Sequence, residues 1–237
     1  MAKVLAVMGD SGSGKTTAMR TLDPTTTYYI DSDKKGLSWK GWKTQYRKGQ
    51  NYLATDNPTS IYLALYSLNC DEKMREIALR QMQRPYAPLP EDLRAKYTGI
   101  KTIVIDTLNG VMVGEEIRRM KEKNYDKWID IASFVYGIID YALTMRDDLT
   151  VIMVFHSETI RDDLGNVFTR IKTNGRKLEK IVLESKFSTV LLATGPGSDY
   201  VFKTRAPDST AKAPMGAFEG DTVANDMKEI LQKLDEF

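Results

Sequence analysis

The sequence is poor in the residues that build disulfides and zinc sites. It has one cysteine, Cys70, and one histidine, His156. A single cysteine cannot close an internal disulfide, and this usage is typical of a reducing compartment such as the cytoplasm. A zinc site takes about four ligands, mostly cysteine and histidine, so the composition argues against zinc chemistry.

Long apolar segments are also missing. No run reaches the ~18 consecutive apolar residues of a membrane-spanning helix, so we expect no membrane partner. The first strand-like run starts at Lys3 and leaves no room for a signal peptide, which again predicts a cytoplasmic protein. The net charge of +2 is too small to indicate a class of binding partner. Any contact with nucleic acid must therefore come from a local patch of basic residues.

What the sequence does contain is a phosphate-binding motif near its start. Residues 9–17 read GDSGSGKTT and fit G-x-x-x-x-G-K-[ST]. The nine predicted nucleotide-binding residues are Gly9, Asp10, Ser11, Gly12, Ser13, Gly14, Lys15, Thr16 and Thr17. The motif predicts that Lys15 contacts the β- and γ-phosphates of ATP and that the Thr16 hydroxyl binds Mg²⁺. The alternative is a glycine-rich turn before an ordinary helix.

Strand-like and helix-like segments alternate along the 237 residues, which suffice for one domain over 1–237. Strands are predicted at 3–8, 27–31, 101–106 and 150–156, and helices from 58, over 71–82, over 126–145 and from about 222. Runs at 188–193 and 200–204 predict an antiparallel hairpin, and 157–175 a polar loop. The fold class is therefore α/β: a mainly parallel P-loop NTPase sheet with helices on both faces and a C-terminal antiparallel hairpin.

The run Ile103-Val104-Ile105-Asp106 predicts the second part of a nucleotide site. Three β-branched residues place the strand in the core and bring Asp106 to its carboxyl end, where ligands bind in open α/β sheets. Asp106 would then hold Mg²⁺ together with Thr16. The alternative is an acid that caps the next turn. No glutamate follows Asp106, so a water-activating base must come from elsewhere.

Together these motifs resemble the core of the RecA-type ATPases. The resemblance rests on the Walker A loop, on Tyr29-Ile30-Asp31-Ser32-Asp33, on 103–106 and on His156. It implies that Asp33 orients the attacking water and that His156 senses the γ-phosphate, although the family usually has Glu and Gln there. The open alternatives are turn acids at Asp31 and Asp33 and a core histidine at His156.

The resemblance also implies an oligomer. Lys203 and Arg205 resemble the Lys-x-Arg pair with which RecA-like rings and filaments reach the neighbouring subunit's nucleotide. Two cations two residues apart share one face of a continuing strand. A charged edge strand that blocks aggregation explains them as well.

Basic residues follow His156 in the predicted polar loop. They are Arg170, Lys172, Arg176 and Lys177. The resemblance to RecA-type ATPases implies that they correspond to the second DNA-binding loop of that family. A second basic segment, 34–55, mixes lysines with four aromatic residues, a pattern suited either to stacking DNA bases or to ordinary packing.

More narrowly, the chain looks like the small phage-encoded RecA-core ATPases of single-strand annealing and recombination. That resemblance implies ATP and Mg²⁺ as cofactors, and single-stranded DNA, further copies of the chain in a ring or filament, and a single-strand DNA-binding protein as partners. If the protein is phage-encoded, its compartment is the host cytoplasm. The alternative functions are a small-molecule or nucleotide kinase and a nucleotide-dependent DNA-binding scaffold without turnover.

Overall fold

The structure, a computed structural model, describes residues 1–122, 126–173, 182–195 and 199–237. The strands within these residues are β1 Lys3–Gly9, β2 Thr27–Asp31, β3 Tyr52–Ala54, β4 Thr102–Asp106, β5 Thr150–Arg161, β6 Val167–Ile171, β7 Thr189–Thr194, β8 Val201–Lys203 and β9 Thr222–Ala224. The α-helices are α1 Lys15–Ala18, α2 Trp42–Gln45, α3 Pro58–Leu68, α4 Glu72–Gln81, α5 Glu91–Thr98, α6 Leu108–Arg118, α7 Asp126–Thr144 and α8 Met227–Glu236.

All described strands belong to one mixed sheet with the order β3-β2-β4-β5-β1-β7-β8-β9, and β6 pairs with β5. The pairs from β3 to β7 are parallel, whereas β7, β8 and β9 pair antiparallel. The predicted fold class, a mainly parallel sheet with an antiparallel hairpin near the C-terminus, is confirmed. Parallel pairing brings the carboxyl ends of β1, β2, β4 and β5 to one edge, where the candidate site lies.

Alternating side chains of the central strands enter two separate cores. In β1, Ala6 and Met8 lie in one core with α3, α6 and α7, and Leu5 and Val7 lie in the other with α1 and α8. A strand directs successive side chains to opposite faces, so a continuous apolar run is needed when both faces are covered. The run KVLAVMG satisfies that requirement.

The start of α3 follows from its sequence. The Asn57 side chain accepts a hydrogen bond from the Ser60 amide at 3.0 Å, and Pro58 occupies the first helical position. The cap satisfies an amide that has no partner within the helix, and proline there loses no hydrogen bond. The predicted helices over 71–82 and 126–145 also match α4 and α7 closely.

The prediction of a polar loop over 157–175 is wrong for residues 157–173, and residues 174 and 175 lie outside the described residues. β5 continues past His156 to Arg161 and pairs antiparallel with β6, with Ile160 opposite Phe168. The Asp162 carboxylate accepts hydrogen bonds from the amides of Leu164 and Asn166 and so fixes the turn. The hairpin was missed because its outer part is exposed, and an exposed ribbon needs no long apolar run.

The predicted C-terminal helix starts five residues too early. Residues 222–224 instead form β9 against β8, and α8 begins at Met227. The Asp226 carboxylate accepts a hydrogen bond from the Glu229 amide at 3.1 Å and marks the true start. The sequence analysis also missed β3, α5 and α6. Within the described residues, no helix combines the length and apolar character that crossing a bilayer requires.

Candidate nucleotide site

The Walker A loop joins β1 to α1 at the carboxyl edge of the sheet. Its Gly14 has a φ of 90°, and a Cβ at this position would lie 2.6 Å from Cγ of Tyr200. Backbone conformation and the close ring both require glycine here. The Gly14 carbonyl also accepts a hydrogen bond from Nδ2 of Asn225 at 3.2 Å. The segment before α8 therefore supports the loop, a role the sequence did not indicate.

Lys15 lies folded over this loop. Its Nζ donates to the carbonyl oxygens of Gly9 at 2.7 Å and of Asp10 at 2.6 Å. Burial lowers the pKa of Lys15 to about 8, although the nearby Asp106 carboxylate opposes that shift. A buried ammonium that bonds only to carbonyls is stabilised further by an anion, as a bound phosphate supplies.

Asp106 lies at the carboxyl end of β4, where it is almost fully buried. Its Oδ2 accepts hydrogen bonds from Thr16 Oγ1 at 2.7 Å and from Tyr29 OH at 2.6 Å. Its Oδ1 is buried and has no hydrogen-bond partner among the described residues. Burial raises the pKa of Asp106, while the Tyr29 and Thr16 bonds lower it. The alternative role as a helix cap belongs to Thr107, whose side chain accepts from the Gly110 amide.

The free Asp106 oxygen and the Thr16 hydroxyl fit a magnesium ion. Mg²⁺ takes few protein ligands, prefers oxygen, and completes its shell with water and phosphate. The described residues contain no group of three or more His, Cys, Asp or Glu side chains placed to hold a metal, so a site made wholly of such side chains is not seen there. A bound cation would satisfy the buried oxygen that the fold leaves without a partner.

Asp31 and Asp33 follow β2 but have different surroundings. Asp31 is buried and accepts hydrogen bonds from the Lys34 and Gly36 amides and from Tyr52 OH, so it stabilises a turn. Asp33 is partly exposed. Its Oδ1 accepts from Thr107 Oγ1 at 3.1 Å, and its Oδ2 accepts from Lys35 Nζ at 2.6 Å. Of the two acids, only Asp33 offers its carboxylate toward the open edge of the sheet.

His156 shares a cavity with Asp33. The cavity has a volume of about 250 Å³, and its lining includes Asn109 and Gly110 from the start of α6. The His156 amide donates to Asn109 Oδ1 at 2.8 Å, and Asn109 Nδ2 donates to the Lys172 carbonyl at 2.8 Å. Burial lowers the pKa of His156, and the Lys15 charge lowers it further. The sequence analysis did not identify Asn109, whose side chain links His156 to Lys172 through these two hydrogen bonds.

Lys203 and Arg205 are placed differently from the expected pair on one strand face. β8 ends at Lys203, and Arg205 lies exposed beyond it, so the premise of a continuing strand is wrong. Lys203 lines a cavity of about 450 Å³ together with Asp10, Ser11 and Ser157. It therefore lies beside the phosphate loop of its own chain.

The predicted DNA-binding residues lie on and after β6. Arg170 is in the strand, and its Nε donates to Glu158 Oε1 at 2.7 Å. Lys172 follows the strand, and its amide donates to the His156 carbonyl at 2.8 Å. Arg176 and Lys177 lie outside the described residues. Of the predicted DNA-binding residues, Arg170 therefore lies in a strand, and Lys172, directly after it, is hydrogen-bonded to the backbone of His156.

In the second basic segment, 34–55, the aromatic side chains contact one another. Tyr29 makes edge-on contacts with Trp39 and Tyr46, with ring centroids 6.4 and 5.4 Å apart, and Trp42 contacts Tyr52. Tyr46 and Tyr52 are buried. These rings contribute to the core on the α1 and α8 side, so packing rather than base stacking accounts for them.

A third cavity, of about 460 Å³, opens on the other side of the phosphate loop. Its lining includes Thr17, Arg20, Tyr200 and Asn225. Arg20 NH1 donates to the Thr17 carbonyl at 2.9 Å and to the Asn225 carbonyl at 3.2 Å. An aromatic ring and a guanidinium beside the last residue of the phosphate motif suit a planar heterocycle.

A family model described as an AAA domain matches residues 1–212. The matched range contains the phosphate loop, Asp33, Asp106 and His156. No curated protein matches the chain.

Proposed function

The chain belongs to the AAA domain family of P-loop, nucleotide-binding ATPases, and from this premise we propose that it hydrolyses ATP with Mg²⁺ while acting on single-stranded DNA in recombination or annealing. The observation that carries the proposal is the unpartnered, buried Oδ1 of Asp106 beside Thr16, at the edge where Lys15 and Asp33 also lie. A phosphate loop without such an acid can bind nucleotide, but hydrolysis also needs a metal-orienting carboxylate and a group for the water.

Each residue of the site has a separate role in the proposed reaction. Lys15 binds phosphate oxygens, and Asp106 with Thr16 holds Mg²⁺, which supplies neutralisation of the charge on the phosphates. Asp33 orients the attacking water and accepts its proton. His156 is held neutral by its lowered pKa and donates or accepts a hydrogen bond near the terminal phosphate.

The nucleoside part of ATP fits the cavity beside Thr17. Tyr200 supplies an aromatic ring and Arg20 a guanidinium, whereas the Asn225 side chain carries both a hydrogen-bond donor and an acceptor. The Asn225 side chain also donates a hydrogen bond to the Gly14 carbonyl, so Asn225 connects a base in this cavity to the phosphate loop.

DNA contact is assigned to β6 and the residues after it. Arg170 and Lys172 supply positive charge, and Lys172 is joined to the site through Asn109 and His156. A shift of His156 on phosphate binding therefore moves the backbone of Lys172 directly. This connection supports ATP-dependent DNA binding, because the two sites share a short hydrogen-bonded chain.

We further propose that the protein acts as a homo-oligomer, a ring or filament, in which Arg205 faces a neighbouring subunit. The exposure of Arg205 supports this role, and the position of Lys203 beside its own phosphate loop favours a contribution within one chain. A single-strand DNA-binding protein is a further proposed partner. From the resemblance to the small phage-encoded RecA-core ATPases we also propose that the protein is phage-encoded.

The experiment that tests the function is ATP hydrolysis by the purified protein with and without single-stranded DNA, with Lys15→Ala as the blank. We expect turnover that rises with DNA and is lost in Lys15→Ala. Transfer of phosphate to an added small-molecule acceptor would instead identify a kinase. Nucleotide-dependent assembly with no turnover under any condition would identify a scaffold and contradict the hydrolytic proposal.

A further inference from the structure

Lys35 lies among the charged groups of the site, although the sequence analysis grouped it with the basic segment 34–55. Its Nζ donates to Asp33 Oδ2 at 2.6 Å. Its side chain is 55% exposed, whereas that of Asp33 is 18% exposed. Lys35 therefore reaches from solvent over the carboxylate to which the water-orienting role is assigned.

The ion pair places Lys35 beside the cavity that Asp33 shares with His156. The Asp33 carboxylate also accepts a hydrogen bond from Thr107 Oγ1 at 3.1 Å, and Thr107 directly follows Asp106. Lys35 therefore lies at the edge where Asp33, Asp106 and His156 meet, and we expect the terminal phosphate of a nucleotide held by the Walker A loop at this edge.

The backbone holds Lys35 in this position. The Asp31 carboxylate accepts hydrogen bonds from the amides on both sides of Lys35, those of Lys34 at 2.9 Å and Gly36 at 2.8 Å. Tyr52 OH fixes the same carboxylate at 2.6 Å. Lys34 itself turns to Asp56, with 2.8 Å between Nζ and Oδ2. Lys34 also lines the cavity of Asp33 and His156, but its ammonium is paired with Asp56, so the turn directs Lys35 and not Lys34 to the Asp33 carboxylate.

We propose that Lys35 is a cation of the same chain that binds the terminal phosphate and that, before nucleotide binds, occupies the Asp33 carboxylate. This inference rests on the proposed ATPase function. A partly exposed ion pair contributes little to stability, so a phosphate that carries more negative charge than one carboxylate displaces Asp33 from Lys35 readily. Nucleotide binding then both neutralises phosphate charge and frees Asp33.

The chemical step that follows is balanced within the site. A water oxygen forms a bond to the γ-phosphorus as the bond from that phosphorus to the bridging oxygen of ADP breaks. The proton of the water passes to the freed Asp33 carboxylate and from there to phosphate or solvent. Lys35 stays on the phosphate oxygens, where charge accumulates in the transition state.

The test compares Lys35→Ala and Lys35→Arg with Lys101→Ala. Lys101 makes a similar exposed ion pair, to Asp148 at 2.5 Å, but it precedes β4 and so lies at the opposite edge of the sheet. Dissociation constants for ATP and ADP are measured by calorimetry, and turnover is measured at saturating ATP. Thermal unfolding verifies that each variant is folded.

We expect Lys35→Ala to weaken ATP binding by about tenfold, equivalent to the loss of one charged hydrogen bond, and to leave ADP binding unchanged. Turnover at saturating ATP falls as well. Lys35→Arg keeps most of the preference for binding ATP over ADP, and Lys101→Ala matches the wild type in every measurement.

Two results would overturn the proposal. Equal effects of Lys35→Ala on ATP and ADP would show that Lys35 does not contact the terminal phosphate. Faster turnover in Lys35→Ala would show that Lys35 only restrains Asp33. The proposed function can fail separately: a wild type that binds ATP but never hydrolyses it still reveals whether Lys35 distinguishes ATP from ADP.

Discussion

The metal side of the site and the β5–β6 hairpin lie at the same sheet edge but are built in opposite ways. On the metal side, Thr16, Tyr29 and Asp106 are linked by short hydrogen bonds, and one Asp106 oxygen is left buried and unpartnered. On the hairpin, Glu158 and Arg170 pair with each other while both remain partly exposed. One region is incomplete without a ligand, and the other is complete but easily rearranged.

This difference follows from the cost of burying charge. A buried carboxylate without enough hydrogen-bond partners destabilises the fold, and a bound cation offsets that destabilisation. An exposed ion pair costs little to form or break. We therefore expect substitutions on the metal side to change chemistry and stability strongly, and substitutions on the hairpin to adjust affinity.

The largest expected effect is that of Asp106→Asn. The amide keeps the shape of the side chain but removes the charge for the cation, so Mg²⁺-dependent ATP turnover should fall by at least about a hundredfold, the scale for loss of one preorganised electrostatic group. Steady-state hydrolysis over a Mg²⁺ series measures it. Asp148→Asn, at the opposite edge, is the control and should behave as the wild type. Retention of more than half the activity in Asp106→Asn would remove Asp106 from the metal site.

Tyr29→Phe should be the most destabilising conservative change at this edge. The Tyr29 hydroxyl donates to a buried carboxylate at 2.6 Å, and loss of such a bond costs about 1.5–3 kcal/mol of the free energy of unfolding. Urea unfolding measures the change. Tyr86→Phe removes an exposed hydroxyl that donates to Glu72 at 3.1 Å and should lower the free energy of unfolding far less than Tyr29→Phe does. Equal costs would contradict the contrast between buried and exposed regions.

The hairpin pair should give two opposite, moderate effects on DNA binding. Arg170→Ala removes a cation and should weaken binding of single-stranded DNA and reduce the salt dependence by about one phosphate contact. Glu158→Gln removes the competing anion, frees Arg170, and should strengthen binding. Fluorescence anisotropy over a salt series measures both variants. Changes in the same direction would show that the pair stabilises the hairpin and does not contact DNA.

The smallest expected effect is a pKa shift at the lone histidine. Burial and the Lys15 charge hold the pKa of His156 below its usual ~6.5, so the ring is neutral at pH 7. Because the unfolded chain binds this proton more readily, His156 lowers the stability of the fold as the pH falls below ~6.5. NMR titration reports one histidine without ambiguity. Lys15→Ala should raise the measured pKa, and a pKa above 6.5 in the wild type would contradict the account.

The sequence predicted the parts of the fold that have strong local signals. The apolar runs of β1, β2, β4 and the first half of β5 were recognised because both faces of these strands are covered. The hairpin end of β5, the three-residue strand β9 and helix α5 were missed. β9 is too short to show a period, and the exposure of α5 leaves it without a buried apolar face.

The candidate site divides in the same way. The fixed spacing of the Walker A motif identified the phosphate loop. Asp106 was identified because it directly follows a β-branched strand. Tyr29 and Asn109 act through contacts made across the sheet edge, 77 residues apart in the case of Tyr29 and Asp106 and 47 in the case of Asn109 and His156. No spacing rule in a single sequence encodes such a contact, because the register of parallel strands is set by tertiary packing.

The central claim is that this edge hydrolyses ATP through Asp33, and Asp33→Asn tests it most directly. ATP binding and single-turnover hydrolysis are measured on the same preparation with Mg²⁺ and single-stranded DNA. The account predicts that Asp33→Asn binds ATP at least as tightly as the wild type but hydrolyses it at least about a hundredfold more slowly. Hydrolysis at the wild-type rate would show that the water is oriented by another group and would contradict the account.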